Sequence, residues 1–401
     1  MIMKIGILRE TKLPLDSRVA FTPKQCSELI NIYPKISLVV QSSTSRCFSD
    51  EEYQLEGIEI VDDITDCDIL FGVKEINVEN LIPSKTYLYF SHTIKKQPYN
   101  RNLLKKMIDF KIKMVDYEVL KNLDGSRILG FGRYAGIVGA YNALLTYGLK
   151  TGFYNLKPAF KCKDRSEMEN ELNKIVFSKE RIVVTGKGRV GKGIIELLSK
   201  YGVKEVSVKD FLNLKFDEPV FVSLDSLDYN QRIDSANSDL QHFYEYPELY
   251  ESSFMKYAKN SDIFIAGHYY AVGAPFLLTK DDIKSKDFNF KVIADISCDI
   301  NGPIASTIRS STIEDPIYGY DALNEKETNY MNDDAIAVMA VSNLPCELPK
   351  DASKDFGDSL LNKVIPHLIS DTENIILNAT ICDKGDLKPN FEYLRDYINK
   401  N

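Results

Sequence analysis

Short apolar runs alternate with segments of helical periodicity over the first 135 residues. Such runs are typical of strands in a parallel sheet, which are buried on both faces, and the intervening segments are typical of the helices that cover the sheet. A helix is expected from residue 23, because Thr22 can cap its first turn and proline fits its first position. The predicted elements are strands 4–8, 36–41, 68–73, 86–90 and 111–116 and helices 23–32 and 97–110.

The alternation resumes with a strand, a glycine-rich turn and a helix. The apolar run 182–185 leads into Gly186-Lys187-Gly188-Arg189-Val190-Gly191, and a helix is predicted over 191–200. A dinucleotide site needs this order, because the glycines permit a tight turn, close approach of the backbone to the pyrophosphate, and close packing of the helix on the strand. The loop residues Gly186, Gly188, Val190 and Gly191 are therefore predicted to bind a cofactor. The alternative is a structural turn without a ligand.

A carboxylate follows the glycines at the spacing expected for a ribose ligand. Asp210 comes about 20 residues after them, beyond a strand predicted at 205–208, where it would bind the ribose 2′-hydroxyl. This position favours NAD, because a carboxylate repels a 2′-phosphate. Lys209 beside it leaves NADP open, and a solvated strand end is the alternative for Asp210. Further strands are predicted at 220–223, 263–266, 291–296 and 335–341.

The order of elements predicts two domains, because 401 residues exceed one typical core. A long helix is expected over 136–149, a polar excursion over 158–178, and helices over 355–370 and 391–397. We expect an α/β protein with two Rossmann-like domains, whose parallel sheets are separated by a cleft. Residues 1–135 plus 340–401 would form the substrate and catalytic domain, and residues 136–339 an inserted dinucleotide-binding domain.

Composition narrows the ligand class. The net charge of −8 argues against nucleic acid or an anionic membrane as the main partner, and no apolar run approaches the ~20 residues that span a bilayer. The seven cysteines are scattered without a CxxC pair, so neither a disulfide framework nor a metal site is indicated. Because the N-terminus lacks a signal-peptide profile, we expect a cytoplasmic protein. Whether it forms a homo-oligomer stays open.

Charged groups follow four different strands of the first domain: Arg18, Lys74, His92 and Glu118. The carboxyl ends of parallel strands are where ligands bind, so these groups are expected to converge. His92 can give and take a proton near neutrality, and Lys74, if partly desolvated, can act as a base. The alternatives are a histidine that satisfies a backbone carbonyl at a helix entry and a solvated lysine paired with Glu75.

The remaining candidates would hold the substrate. Arg18 and Arg127 can clamp carboxylates in a bidentate way, and Phe131 lies in the glycine-rich run after Arg127. For Arg18 a surface ion pair with Asp16 or Glu10 is the alternative. Glu118 could tune a neighbouring lysine. His268, followed by two tyrosines, is expected to face the cleft.

Several motifs resemble a known family. The run 9–12 with 18–23 resembles the N-terminal signature of the alanine dehydrogenase and transhydrogenase superfamily. The chain resembles the lysine–ketoglutarate reductase and saccharopine dehydrogenase (lysine-forming) branch more closely. The matching segments are 72–75, 89–95, 116–118, 294–299, 312–316 and 343–345. The resemblance covers nearly the whole chain in order.

The resemblance implies an enzyme that interconverts saccharopine with lysine and 2-oxoglutarate, using a nicotinamide cofactor. It implies that Lys74 and His92 are the acid–base pair, and that arginines 18 and 127 hold substrate carboxylates. It also places three residues near the cofactor: Gln97, Arg189 and Asp295. Two alternatives stay open, an alanine dehydrogenase-like enzyme acting on another substrate and a non-catalytic NAD-binding sensor, and the presence of both Lys74 and His92 speaks against the sensor.

Overall fold

The computed structural model describes residues 3–13, 16–271 and 273–399. The strands are β1 (Met3–Ile7), β2 (Ile36–Gln41), β3 (Glu59–Val61), β4 (Ile69–Lys74), β5 (Thr86–Phe90), β6 (Lys113–Asp116), β7 (Arg181–Thr185), β8 (Lys204–Glu205), β9 (Val220–Leu224), β10 (Asn230–Arg232), β11 (Tyr250–Ser252), β12 (Ile263–Ala266), β13 (Val292–Asp295), β14 (Ile317–Asp321), β15 (Lys326–Thr328), β16 (Ile336–Met339), β17 (Thr380–Asp383) and β18 (Asp386–Leu387).

The helices occupy the connections. They are α1 (Pro23–Ile32), α2 (Asp50–Leu55), α3 (Arg101–Asp109), α4 (Gly132–Thr151), α5 (Arg165–Glu171), α6 (Arg189–Lys200), α7 (Val208–Asn213), α8 (Ser226–Tyr229), α9 (Leu240–Glu245), α10 (Met255–Ala258), α11 (Lys280–Lys284), α12 (Pro349–Lys363), α13 (Ile365–Ile369), α14 (Ile375–Ala379) and α15 (Arg395–Asn399). The 3₁₀ segments are Val78–Asn80, Thr93–Lys95, Pro98–Asn100, Tyr117–Val119, Ala159–Lys161, Leu172–Lys174, Pro247–Leu249, Leu344–Glu347 and Pro389–Leu394. None of the helices in the described ranges is long and apolar enough to cross a membrane.

The chain divides into two compact units, each built on its own sheet. Unit 1 comprises Met1–Phe131 and Pro349–Asn401, and unit 2 comprises Gly132–Leu348. The described residues of each unit form an eight-stranded, largely parallel sheet. This architecture confirms the prediction of an α/β protein with two Rossmann-like domains. The predicted cleft between them stays a prediction.

In unit 1 the strand order is β18-β17-β6-β5-β4-β1-β2-β3. The six strands from the N-terminal part are parallel, whereas β17 and β18 join one edge antiparallel. The C-terminal segment therefore completes the first sheet. Apolar side chains such as Ile5, Phe71 and Leu88 are fully buried in its core, as expected of strands covered on both faces. The neighbours β4, β5 and β6 end side by side at one edge.

In unit 2 the order is β15-β14-β16-β13-β12-β7-β9-β8. The strand β7, which precedes the glycine turn, lies between β9 and β12 and is parallel to both. The next strand along the chain, β8, lies outside β9 instead of beside β7. This order departs from the usual Rossmann arrangement, in which the second strand neighbours the first.

Some predicted elements need correction. The strand predicted at 205–208 is wrong: β8 ends at Glu205, and Ser207 caps α7. Serine accepts the helix N–H of Asp210 there, a local bond that competes with strand pairing. The helix predicted over 355–370 begins earlier and is divided into α12 and α13, where Pro366 interrupts the helical hydrogen bonding.

Two glycines bring α4 and α6 into backbone contact. A Cβ on Gly136 of α4 would overlap the carbonyl oxygen of Val190, and a Cβ on Gly193 of α6 would overlap that of Arg133. Only glycine at both positions allows this approach. The helix that follows the glycine turn is thus held directly by the long helix that opens unit 2.

Candidate functional site

Neighbouring strand ends bring several predicted residues of unit 1 to one edge. Lys74, the last residue of β4, pairs in register with Phe90 of β5. Asp116, the last residue of β6, pairs with Tyr89. His92 follows β5 by two residues and Glu118 follows β6 by two residues. Three of the four side chains that were predicted to converge, those of Lys74, His92 and Glu118, therefore leave adjacent strands at their carboxyl ends.

Lys74 is half-buried and lies over a buried carboxylate. The backbone N–H groups of Val73 and Lys74 donate to the two oxygens of Glu10, at 2.6 and 2.9 Å. Burial, together with the positive charge of Arg18, lowers the pKa of the Lys74 ammonium below its usual range. A larger fraction of this amine is therefore neutral near pH 7 than of an exposed lysine, as a proton acceptor requires.

His92 is held by Glu75. The backbone at His92 is left-handed, with φ of 54°, a conformation that non-glycine residues adopt rarely outside functional or strained sites. Its Nδ1 lies 3.2 Å from a carboxylate oxygen of Glu75, which also forms an ion pair with Lys12. Burial opposes ionisation of Glu75, but the hydrogen bonds from His92 and Lys12 prevail, and its pKa falls below the usual range.

Glu75 is the residue that sequence reasoning missed as a partner of the histidine. It had been considered only as a partner of its neighbour, Lys74. The contact with His92 joins residues 17 positions apart and depends on the pairing of β4 with β5. A carboxylate on one imidazole nitrogen fixes the orientation of the ring and leaves the other nitrogen for a ligand.

Arg18 belongs to a buried ion pair. Its Nε and Nη2 donate to the two oxygens of Asp16 at 2.9 and 2.5 Å, and both side chains are about 3% exposed. The guanidinium also lies 4.0 Å from the ring centre of Phe131, which stacks on Phe356. The pair with Asp16 had been considered as a surface contact, and the structure shows it to be buried. Burial opposes ionisation of Asp16, but Arg18 lowers its pKa to about 2.

Glu118 lies beside two cations. Its Oε1 is 3.2 Å from Lys95 and 3.7 Å from Arg127, so Arg127 is placed at this edge as well. Its Oε2 is buried and has no hydrogen-bond partner among the described residues. Gln97 has an exposed side chain, and its backbone carbonyl accepts the hydroxyl of Tyr397. The structure thus places Gln97 in unit 1, beyond β5.

The glycine turn of unit 2 has the geometry that a pyrophosphate requires. Gly186 has φ of 91°, and a Cβ there would come within 2.5 Å of the carbonyl oxygen of Gly267. A Cβ on Gly191 would overlap the carbonyl oxygen of Gly186. A Cβ on Gly188 would meet nothing within 4 Å, which leaves open space beside the N-terminus of α6, where Arg189 and Val190 begin the helix. The tight turn at Gly186, the open space beside Gly188 and the N-terminus of α6 together fit the phosphate groups of a dinucleotide.

Asp210 does not lie where it was predicted. It is in the first turn of α7, where its carboxylate accepts the hydroxyl of Ser207 at 2.8 Å. The strand beside β7 is β9, and the carboxylate directly after it is Asp225. The strand at 220–223 was predicted from its apolar run, but its position beside β7 depends on long-range pairing. No spacing in the sequence therefore indicates that Asp225 follows the strand beside β7.

His268 follows β12 by two residues, and Asp295 is the last residue of β13; both strands lie on the other side of β7. The Nδ1 of His268 lies 2.7 Å from the hydroxyl of Thr185, while its Nε2 is buried without a hydrogen-bond partner among the described residues. Burial outweighs the attraction of Asp295 and lowers the pKa of the imidazole to about 4, so the ring is neutral at pH 7. Asp295 is buried and accepts hydrogen bonds from Ser297 and Thr307, both at 2.7 Å.

His268 also borders an aromatic cavity within unit 2. The cavity holds about 60 Å³ and is lined on one side by Ser226 and Tyr229 of α8 and on the other by Tyr270. The structure thus places His268 beside the glycine turn, in a different unit from Lys74 and His92. Its predicted role in binding the substrate stays a prediction.

Comparison with known proteins supports the resemblance found in the motifs. Residues 6–138 match the family model "Alanine dehydrogenase/PNT, N-terminal domain". Alpha-aminoadipic semialdehyde synthase of Arabidopsis thaliana is 30% identical over 97% of this chain and 41% of its own length. The mitochondrial enzyme of that name from Mus musculus is 28% identical over 98% of this chain and 47% of its own length. Saccharopine dehydrogenase [NAD(+), L-lysine-forming] of Neurospora crassa is 23% identical, over 89% of this chain and 90% of its own.

These matches confirm the resemblance to the alanine dehydrogenase and transhydrogenase superfamily and to its saccharopine dehydrogenase branch. The chain spans less than half the length of the synthases it matches. Among solved structures, an L-alanine dehydrogenase aligns over 99% of this chain and all of its own, with a TM-score of 0.67 and 14% identity. A transhydrogenase from Sinorhizobium meliloti aligns over 96% of this chain and 98% of its own, with a TM-score of 0.58 and 14% identity. These two likenesses show the fold.

Proposed function

We propose that this chain is a nicotinamide-dependent oxidoreductase that interconverts saccharopine with L-lysine and 2-oxoglutarate. One observation carries the proposal: a half-buried lysine and a carboxylate-bound histidine end adjacent strands of unit 1, in a chain whose unit 2 has a glycine turn fitted to a dinucleotide. Relatives named for saccharopine and aminoadipic semialdehyde chemistry support the choice of substrate.

The proton transfers of this reaction suit the two side chains of unit 1. The ε-nitrogen of lysine forms a bond with the keto carbon, and water leaves before the C=N bond is reduced. Lys74, with its lowered pKa, takes a proton from the substrate ammonium. His92, oriented by Glu75, protonates the leaving hydroxyl. The two roles can also be exchanged, because both groups lie at the same edge of the sheet.

Two arginines would position the carboxylates of the substrate. Arg18 is fixed by Asp16 and by the ring of Phe131, and a guanidinium held in this way loses little side-chain entropy on binding an anion. Arg127 is more exposed and is balanced by Glu118. Such anchoring would fix the orientation of the reacting carbon, as hydride transfer requires.

The cofactor would bind unit 2. The backbone of Gly186, Gly188 and Gly191 and the N-terminus of α6 would hold the pyrophosphate, with Arg189 and Val190 beside it. The nicotinamide, when bound, donates or accepts the hydride. Asp295 organises the adjoining turn through Ser297 and Thr307. The roles predicted for Gln97 and Asp295 near the cofactor are part of this proposal.

The test is an assay of the purified chain with lysine, 2-oxoglutarate and either NADH or NADPH, followed by the absorbance of the reduced nicotinamide. We expect oxidation of the nicotinamide that depends on both substrates, with saccharopine as product by mass spectrometry. A panel of other amines, with ammonia and pyruvate included, separates this reaction from that of an alanine dehydrogenase-like enzyme. Nucleotide binding without turnover on any pair would favour a non-catalytic sensor and contradict the proposal.

A further inference from the structure

We infer that Asp225, and not Asp210, binds the adenosine ribose of the dinucleotide and makes unit 2 select NAD over NADP. The inference rests on the proposed function in one respect: it takes the glycine turn of unit 2 to hold a nicotinamide dinucleotide. It adds to the proposed function the form of the cofactor that is bound, NAD, and the residue that determines this choice, Asp225.

The position of Asp225 follows from strand pairing. Leu224, the last residue of β9, pairs in register with Thr185, the last residue of β7. The N–H of Gly186 donates to the carbonyl oxygen of Leu224 at 3.0 Å, so the glycine turn is bonded directly to the end of β9. Asp225 comes next in the chain. It therefore stands beside the turn, at the strand position from which Rossmann domains contact the ribose.

Asp210 lies one strand further out. Its helix α7 follows β8, and β8 pairs only with β9 within the described residues. Because neighbouring strands are about 4.8 Å apart, β8 runs about 10 Å from β7. The spacing of Asp210 in the sequence matches the Rossmann pattern, but that pattern assumes that the second strand neighbours the first.

The surroundings of Asp225 suit a hydroxyl and exclude a phosphate. Its carboxylate is half-buried and is oriented by the N–H of Ser226 at 2.8 Å. The carboxylate of Asp228 accepts the N–H of Asp225 at 2.7 Å, so a second negative charge lies beside the first. A ribose 2′-hydroxyl can donate to a carboxylate, whereas a 2′-phosphate would be repelled by two of them.

A second feature indicates that a ligand extends past Asp225. The aromatic cavity described above begins at Ser226, the next residue, and is closed by Tyr229 and His268. The Nε2 of His268 is buried there without a hydrogen-bond partner among the described residues, in a side chain that is 7% exposed. Aromatic rings and one buried polar atom are a suitable surface for a flat heterocycle such as adenine.

The experiment measures dissociation constants for NADH and NADPH on the full chain, without substrates, by the fluorescence of the reduced nicotinamide. Asp225→Asn removes the charge while keeping a residue that caps α8. Asp210→Asn is the matched control, since it makes the same change in the first turn of α7, where Asp210 contacts the capping residue Ser207. Asp225→Ser, which also retains a cap, carries the test if the asparagine variant does not fold, as judged by circular dichroism.

We expect the unaltered chain to bind NADH more tightly, and Asp225→Asn to lower that preference by about 10-fold or more. Asp210→Asn should change it by less than about 2-fold, because Asp210 follows β8, one strand further from β7 than Asp225. Preference for NADPH in the unaltered chain, an unchanged ratio in the folded Asp225 variants, or a shift caused by Asp210→Asn would overturn the inference. If neither nucleotide binds, the proposed function fails as well. If the variants bind nucleotide with an unchanged ratio of the two dissociation constants, only the role of Asp225 is contradicted.

Discussion

The two sheets of this protein carry different chemical groups at the carboxyl ends of their strands. At the edge of unit 1, ionisable side chains contact one another, with Glu75 joined to His92 and Lys12. At the edge of unit 2 the glycine turn offers backbone, and the imidazole closest to it, His268, is buried and neutral at pH 7. The first arrangement suits the movement of protons, and the second suits the binding of an anion that does not react.

This difference follows from how each edge is solvated. Lys74 and His92 keep part of their surface exposed, so their charge can change when a ligand arrives. Asp295 and Thr185 are fully buried in hydrogen bonds, so they hold the turn and its strand in place. If this division of roles is right, substitutions in unit 1 should abolish turnover and spare nucleotide binding, whereas substitutions in the glycine turn should weaken nucleotide binding itself.

The strongest test of the division removes the proton-handling groups. We expect Lys74→Met and His92→Ala each to lower kcat by about 10²–10⁴-fold, the usual contribution of a general acid or base. The dissociation constant for the preferred reduced nucleotide should stay unchanged, because both residues belong to unit 1. Steady-state kinetics and fluorescence titration measure the two quantities. Near-normal turnover in either variant would show that its assigned role is wrong.

The reverse test uses the glycine turn. A methyl group at Gly188 enters open space, so Gly188→Ala should fold normally, but it should weaken nucleotide binding by about 10-fold or more where the phosphate approaches. At Gly191 the methyl overlaps the carbonyl oxygen of Gly186, so Gly191→Ala should lose binding and also lower the melting temperature. Equal melting temperatures for the two variants, or unaltered binding by Gly188→Ala, would contradict this account of the turn.

A smaller effect is expected at Glu75, whose carboxylate contacts the imidazole of His92. Glu75→Gln should lower kcat by about 10-fold and shift its pH profile toward acid, because a carboxylate that stabilises positive charge at this edge is lost. Glu79→Gln, a nearby exposed position, is the control. A loss of kcat with an unmoved pH profile would mean that Glu75 acts only in folding.

The smallest effect concerns a carboxyl group in unit 2 that lies outside the turn. Burial raises the pKa of Glu347 to about 8, although Asn142 donates to it at 2.7 Å. The folded chain therefore keeps this proton at pH values where the unfolded chain has lost it. The contribution of Glu347 to the free energy of unfolding should fall as the pH rises from about 4.5 toward 8.

Glu347→Gln keeps an acceptor for Asn142 and removes the titration. The difference in unfolding free energy between this variant and the unaltered chain should grow in favour of glutamine by about 1 kcal/mol or more over that pH range. Denaturant unfolding at several pH values measures it, with the exposed Glu205→Gln as control. A constant difference would mean that the carboxyl group is ionised in the folded chain. Burial would then change the ionisation of groups in unit 2 no more than it does in unit 1.

Local features of the fold could be predicted from the sequence. The bounds of α1, β2, β5 and β12 match the predicted ranges, because a capped helix start and an apolar run between turn residues are local signals. The convergence of strand ends in unit 1 was also accessible, since parallel strands share an edge. The roles assigned to Lys74 and His92 stay predictions.

What the sequence could not provide depends on contacts between distant residues. The strand order β8-β9-β7 is set by which apolar strand pairs with β7, and no spacing in the chain records it. For this reason the spacing predicts Asp210 as the ribose ligand, whereas the carboxylate that follows the strand beside β7 is Asp225. The link between Glu75 and His92 was missed for a similar reason, because it arises from the register of two strands.

The contact of α4 with α6 has a consequence for how this protein can vary. The glycine turn is located by peptide groups that touch peptide groups at Gly136 and Gly193, so a larger residue at one position cannot be offset by a smaller side chain at the other. Most side chains of α4 are buried as well, so few positions along this helix can change in size. Variants that shift α4 along its axis would therefore displace the glycine turn, even with every residue of the turn intact.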